Sequence, residues 1–316
     1  MIDPKFRRLR VLHLVGADYH SAPNPLLLPL LTRGNRQRIE SQVVHFVQGA
    51  AQFAVVRQSG LPVHEVALSS KRFSPAALFE LKKIIKDFHP DVIHAWGSAA
   101  QFAAVALSGD KAPIVWSTAR TTPLASKAKW MEKTLFNWNK KFAPRMSRIV
   151  YSSAVAGAQH RRVGLPEELG TVIAPGVDAD RFKPDAAARQ KVREQLELPK
   201  EAILVGMYAP FQPEFDYGTM LKAVGELIRT NQNLYCVVGG RGVVRGNAAL
   251  MAMVGGGTLG GRTRVIGEWS DLNALFNACD VVCSSATTDN SRLLLAIAML
   301  CGVVCVATGV GAQGEV

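Results

Sequence analysis

Residues 279–308 read C-D-V-V-C-S-S-A-T-T-D-N-S-R-L-L-L-A-I-A-M-L-C-G-V-V-C-V-A-T, and their pattern decides the fold. Cys279 to Ser285 is an apolar run with the length of a short buried strand, and Gly302 to Thr308 is another. Between them Leu293, Leu294, Ile297, Ala298 and Met299 recur at helical spacing. Strand, polar turn, helix and strand make a parallel crossover unit. The start of its helix, Asn290 and Ser291 after Asp289, is then expected at the carboxyl edge of a parallel sheet. Free backbone N–H groups and the helix dipole favour an anion there. Asp289 fits equally well as a simple helix cap.

The same alternation extends outward in both directions. Upstream, Leu9 to Val15, Gln42 to Phe46, Pro62 to Val66, Val92 to Ala95, Pro113 to Thr118 and Ser147 to Ser152 read as strands. Helices are expected over 48–59, after Gly97, over 126–142 and, most clearly, over 74–88. In that last segment Ser74 caps, Pro75 takes the first helical position, and Leu78, Leu81, Ile84 and Ile85 share a face. A helix at 154–163 and a Pro- and Gly-punctuated passage follow. The pattern then restarts at Ile203 to Tyr208, with a helix over 219–229, a strand at Leu234–Val238, a glycine turn, and helices near 247–254 and 271–278. The fold class expected is α/β, with two doubly wound domains at 1–176 and 177–316. The cleft between two such domains is the default ligand site.

With 316 residues, 48% of them apolar and 20% charged, the chain is long enough for two cores. No run reaches the roughly 20 apolar residues of a membrane span. The opening M-I-D-P-K-F-R-R-L-R runs straight into a strand, which argues against a signal peptide and for a cytoplasmic place. Five cysteines, all in apolar contexts and without a C-x-x-C pair, argue against both disulfides and zinc. Charge is uneven: residues 1–175 hold 24 Lys+Arg, 11 Asp+Glu and all seven histidines, and the net charge of the whole chain is +12. The first half is therefore suited to a negative partner or surface.

Several stretches carry a resemblance in order and spacing. V-I-A-P-G-V-D-A-D-R-F-K-P (Val172 to Pro184) resembles the interdomain signature of family 4 glycosyltransferases of the GT-B fold. V-G-M-Y-A-P-F-Q-P-E-F-D-Y (Val205 to Tyr217) resembles the first strand and loop of their donor domain. V-V-G-G-R-G-V-V-R (Val237 to Arg245) resembles the glycine turn, and Arg264 to Val282 the nucleotide-base segment with its following helix. D-V-I-H-A-W-G, P-I-V-W-S-T-A-R and I-V-Y-S-S-A-V match the N-terminal half more loosely. The resemblance implies two Rossmann-like domains facing a central cleft. It also implies a retaining, metal-independent transfer of a sugar from a nucleotide diphosphate sugar to a saccharide or lipid-linked hydroxyl. No cofactor beyond that co-substrate is implied.

Stabilising a diphosphate leaving group without a metal takes cationic side chains and backbone N–H groups. The family uses an Arg, a Lys and two glutamates eight positions apart. Here those positions hold Gln212, Phe215, Asp289 and Ile297, and the phosphate-side glycine pair of the first loop reads S-A-P-N (Ser21 to Asn24). Two lost charge-assisted hydrogen bonds, at roughly 1.5–3 kcal/mol each, are a large deficit. Arg292, Arg241, Arg245 and Arg120 are the cations placed to offset it. The resemblance makes Asp289, His94 and Arg120 the catalytic candidates. The donor contacts are Gly16, Gln212, Gly240, Arg241, Arg245, Ile266, Asp271, Asn290, Ser291, Arg292 and Leu293. The family's closing helix is expected after Val316, where this sequence ends.

Alternatives accompany each of these. His94 is read at the end of a strand facing the cleft, either touching a ligand or satisfied locally. The stretch Lys127 to Arg148 mixes Trp130, Phe136, Trp138 and Phe142 with Lys and Arg. It suits an anionic membrane surface, with the protein peripheral at the inner face, or a core-facing aromatic stripe with a solvated back. No nucleic-acid module accompanies the charge. The function expected is glycosyl transfer, and the alternative is a degenerate, non-catalytic GT-B protein that binds or scaffolds.

Overall fold

The computed structural model describes residues 7–16, 27–47, 49, 53–68, 74–107, 109, 112–118, 130–255, 257–288 and 292–316. Contacts divide the chain into two units, Met1–Gly176 and Val177–Val316.

The first unit runs β1 (Leu9–Val15), α1 (Leu27–Arg33), β2 (Ile39–His45), α2 (Ala54–Gln58), β3 (Val63–Glu65), α3 (Pro75–Phe88), β4 (Val92–Trp96) and α4 (Ser98–Leu107). It continues with β5 (Ile114–Ser117), α5 (Trp130–Phe142), β6 (Arg148–Tyr151), α6 (Ala154–Arg162) and β7 (Gly170–Val172). Its seven strands are parallel in the order β3-β2-β1-β4-β5-β6-β7. Side chains alternate across the sheet. Leu12, Leu14, Ile93 and Trp116 pack with Leu81, Ala104 and Phe136 on one face, while Val15, Val43 and Trp96 pack with Leu27, Leu31 and Phe53 on the other.

The second unit runs α7 (Ala186–Gln195), β8 (Ile203–Tyr208), α8 (Tyr217–Thr230), β9 (Leu234–Gly239), α9 (Ala248–Val254), β10 (Thr263–Gly267), α10 (Leu272–Ala278), β11 (Val281–Ser284), α11 (Arg292–Leu300) and β12 (Val304–Ala307). Its five parallel strands are ordered β10-β9-β8-β11-β12. Helices cover both faces here too: α8 and α9 on Met207 and Val238, and α7, α10 and α11 on Leu204, Val237 and Val282. Each unit is a doubly wound α/β sheet. No helix among the described residues is long and apolar enough to cross a membrane.

Several expectations need correction. Of the helix expected over 48–59 only Ala54–Gln58 is helical among the described residues; that expected over 126–142 is helical from Trp130 to Phe142, and 126–129 lie outside the described residues. The strands flanking α11 are trimmed to Val281–Ser284 and Val304–Ala307. Two elements have no counterpart in the periodicity. β7 has three residues, beginning with a glycine. α7 buries only Val192 and is fixed by charge instead of an apolar stripe. Arg189 donates to the Asn277, Ala278 and Cys279 carbonyls (3.0, 3.2 and 3.0 Å) and to Asp280 (2.6 Å). Arg193 donates to Ala278 and Asp280, and the Leu204 N–H donates to Asp280 at 2.7 Å. Burial alone would raise the Asp280 carboxyl, but the Leu204 amide and the two guanidiniums outweigh it and hold it below the usual range.

All five cysteines are free thiols; Cys236, Cys279 and Cys301 are buried, and Cys283 and Cys305 half-buried. Burial pushes the Cys279 thiol up to about 12, so it stays protonated at neutral pH.

Candidate functional site

In an open parallel sheet, ligands collect outside the carboxyl ends of the strands where the strand order reverses. In the second unit that point lies between β8 and β11, because β9 and β10 continue to one side and β12 to the other. The loops leaving these strands are tied to each other. The Ser285 hydroxyl donates to the carbonyls of Asp216 (2.7 Å) and Phe215 (3.1 Å), and the Thr287 N–H donates to the Glu214 carbonyl (2.8 Å). Asp216 takes a left-handed conformation (φ 44°), and its carboxylate accepts from the Thr219 N–H to cap α8. The Thr308 hydroxyl, after β12, donates to the Ala286 carbonyl.

The turn after β9 approaches the same place. The Phe211 N–H donates to the Arg241 carbonyl (2.9 Å) and the Gly240 N–H to the Gly267 carbonyl (2.6 Å). Gly240 has φ 128°, and a Cβ there would lie 2.0 Å from the Ala209 carbonyl oxygen, so no side chain fits. Arg241 and Arg245 are exposed on this turn. On the far side, Ile266 packs over Gly239, and the Tyr208 hydroxyl accepts from the Trp269 N–H (3.0 Å) and donates to its carbonyl (3.2 Å). Asp271 caps α10 through the Ala274 N–H. Behind the edge, a cavity of ≈ 10 Å³ is lined by Tyr208, Ala209, Ser284 and Leu294 among others. That is about the room one water needs. The Ser284 hydroxyl is buried there without a hydrogen-bond partner among the described residues.

Of the residues singled out in the sequence, Gly240, Arg241, Arg245, Ile266 and Asp271 lie on these loops. Gln212 is exposed, while Phe215 is buried in the core against α8, so no charge stands at either position. Ile297 is buried on the α11 face that packs against the sheet. Arg292 is the first residue of α11 and Leu293 the second, half-buried. Asp289, Asn290, Ser291 and Arg120 lie outside the described residues, as do Ser21 to Asn24. Sequence reasoning missed Ser285, Thr287 and Asp216; the run S-S-A-T-T at the end of a buried strand was the available signal.

The first unit has its own reversal point, between β1 and β4. There the Gly16 N–H donates to the Trp96 carbonyl (2.9 Å). His94 is the third residue of β4, not its end: the strand runs on to Trp96 and breaks at Gly97, φ 89°. Its Nε2 lies 2.8 Å from the Ser117 hydroxyl, and its ring stands 5.4 Å from that of His13 on the paired strand. The Trp96 indole N–H donates to His13 Nδ1 (3.2 Å). Burial pulls His13 down to about 4, and burial followed by the neighbouring His13 pulls His94 well below the ordinary value. Both rings are neutral at pH 7, so neither is a cation for a phosphate.

With this geometry in place, comparison with family models gives a class. Residues 27–181 match the family model described as Glycosyltransferase Family 4, and residues 200–316 match that described as Glycosyl transferases group 1. The chain belongs to this glycosyltransferase family, and its fold is GT-B.

Among solved structures it is similar to Anabaena Alr3699/HepE in complex with UDP and glucose: TM-score 0.79, 20% identity, 98% of this chain and 83% of that one covered. It is also similar to a glycosyltransferase from Rickettsia africae (TM-score 0.80, 14% identity, 98% and 82% covered). Sucrose-phosphate synthase from Thermosynechococcus elongatus follows (TM-score 0.73, 14% identity, 98% and 83% covered). No curated protein matches the sequence.

Proposed function

We propose that the chain transfers a sugar from a nucleotide diphosphate sugar to a saccharide or lipid-linked hydroxyl, with retention and without a metal ion. The observation that carries this reading is the edge of the second unit, where the loops after β8, β9 and β11 are fastened together at the strand-order reversal. Backbone N–H groups and the start of α11 meet the diphosphate there. Arg241 and Arg292, with Arg245, take over the charge that Gln212 and Phe215 lack. The relocation is short in the chain's own terms, since the Arg241 carbonyl already holds the loop that carries Gln212. Residues 266–271 face the base. Asp289 is assigned to the donor sugar. The first unit supplies the acceptor side; Gly16, just after β1, is kept as a donor contact and Arg120 as a catalytic candidate, while His94 lies inside β4.

A second reading is kept by two observations: Phe215 and Ile297 are core residues, so two of the family's charged positions are filled by packing. On that reading the protein binds or scaffolds without transferring. A titration of the folded chain with UDP, GDP and ADP, with and without magnesium, separates the two. UDP comes first because the Anabaena protein was solved with UDP and glucose. Saturable binding of one diphosphate, unaffected by magnesium and weakened at least tenfold by Arg241→Gln or Arg292→Gln, supports transfer and justifies an acceptor screen. No binding of any of the three removes the enzyme reading and leaves the scaffold.

A further inference from the structure

We propose, resting on the donor reading above, that Gln313 is a specificity residue for the donor sugar, its amide oxygen accepting a sugar hydroxyl once a nucleotide sugar is bound. Gly311–Glu315 is a short helical turn after β12 that packs against α11, and Ala312 and Gln313 are its buried residues. From there the Gln313 Nε2 donates to the Thr288 carbonyl (3.3 Å). Thr288 is the residue before Asp289, the candidate for the donor sugar. The preceding residues of this loop are already tied elsewhere: the Ala286 carbonyl by the Thr308 hydroxyl, and the Thr287 N–H by the Glu214 carbonyl.

The other half of the amide is unsatisfied. Gln313 is 5% exposed, and its Oε1 is buried without a hydrogen-bond partner among the described residues. An open buried acceptor works against folding, and a leucine of similar size would not carry that cost. Packing alone therefore does not account for a glutamine here, and the open oxygen calls for a group supplied from outside the fold. The chemistry of that group is narrow. An amide oxygen accepts and cannot donate, so it repels a phosphate and takes an O–H or N–H. The transferred sugar brings hydroxyls. The bond to Thr288 is longer than a usual N–H···O bond, and the last torsion of a glutamine is broad, so the amide can turn toward a better partner at little cost. A sugar that places a hydroxyl there gains a bond, and one that does not leaves the oxygen buried and open, which is how such a group discriminates. A ribose hydroxyl has the same chemistry, but the nucleotide diphosphate alone already carries it.

The test is calorimetric titration of the full chain with UDP-glucose, UDP-N-acetylglucosamine, GDP-mannose and ADP-glucose, each beside its own diphosphate. For the pair that the unmodified chain binds, Gln313→Leu is expected to weaken the nucleotide sugar about tenfold and the diphosphate alone by no more than about twofold. The thermal midpoint should hold, because the open acceptor is gone together with the bond to Thr288. Gln313→Met, unbranched, makes the same comparison if leucine does not fit. Equal weakening of sugar and diphosphate assigns Gln313 to bracing the loop or to the ribose, and unchanged affinities make it a packing residue; either result overturns the proposal. So does an unmodified chain that binds a diphosphate and gains nothing from the sugar, a result that leaves the donor site standing. No binding of any diphosphate removes the donor reading, and this assignment with it.

Discussion

The two sheets use one plan at their reversal points and fill it with different chemistry. Between β1 and β4 the first unit places two neutral imidazoles and an indole: His13, His94 and Trp96 within ring contact, backed by Ser117. Between β8 and β11 the second unit places hydroxyls on carbonyls and bare backbone on bare backbone. The fold supplies the edge in both cases, and the residue types decide what can disturb it. The first edge is sensitive to protons and the second to steric bulk.

Bulk gives the largest expected effect. Gly240→Ala puts a methyl group 2.0 Å from the Ala209 oxygen at a φ of 128°, where no relaxation of one side chain helps. The expected loss is about 4 kcal/mol, confined to the second unit. Hydrogen exchange read peptide by peptide checks it, because protection should fall across β8 to β12 while β1 to β6 keep theirs. Equal loss in both units would mean that they unfold together, and the comparison between them would fail.

Protons act on the other side. His13 titrates near 4 in the folded chain, against an ordinary value of 6.5. Between those values the unfolded chain binds a proton that the folded chain does not, so stability falls as pH drops from 6.5 to 4 and the loss is complete below that. For His13 alone this amounts to roughly 3 kcal/mol. His94, His45 and His160, also held low by burial, add to it in the same direction. The first unit should therefore lose protection from exchange in mild acid before the second. His13→Asn, which keeps an acceptor for the Trp96 indole, should flatten that dependence.

How much of this was legible in the sequence follows from what holds each part. Strands buried on both faces show as apolar runs, and α8 shows because Met220, Leu221, Val224 and Ile228 make a stripe. α7 does not show, because arginines reaching carbonyls some 90 residues away leave no period behind. The site divides in the same way. Glycines and arginines of the turn after β9 are visible as a motif, and Gly240 is where the motif's physical reason is clearest. Ser285 is invisible as a clasp, since its partners are carbonyls 69 and 70 residues away and any residue type would offer them.

Two smaller effects sharpen the contrast within the second unit. Asp280→Asn keeps an acceptor for the Leu204 N–H but removes the charge that Arg189 and Arg193 meet. About 2 kcal/mol should be lost, read as a lower urea midpoint. The folded carboxyl is held below its ordinary range, so this contribution is present at neutral pH and disappears only as pH falls through that lowered value. The second unit should accordingly hold through the pH range in which the histidines destabilise the first.

Ser285→Ala is the mildest change and the most informative about function. It removes the donor to the Asp216 and Phe215 carbonyls without filling or emptying a large volume. A stability loss of about 1 kcal/mol is expected, close to the worth of one neutral hydrogen bond. Nucleotide diphosphate affinity should fall more than that figure alone suggests, because the clasp fixes the loop after β8 against the loop after β11, and an untied loop must be ordered again on binding. A tenfold weaker affinity at a stability loss of only 1 kcal/mol would identify the clasp as a positioning device for the donor edge. Unchanged affinity at the same stability loss would reduce it to a strut of the fold, and would move the weight of the donor reading onto Arg241 and Arg292.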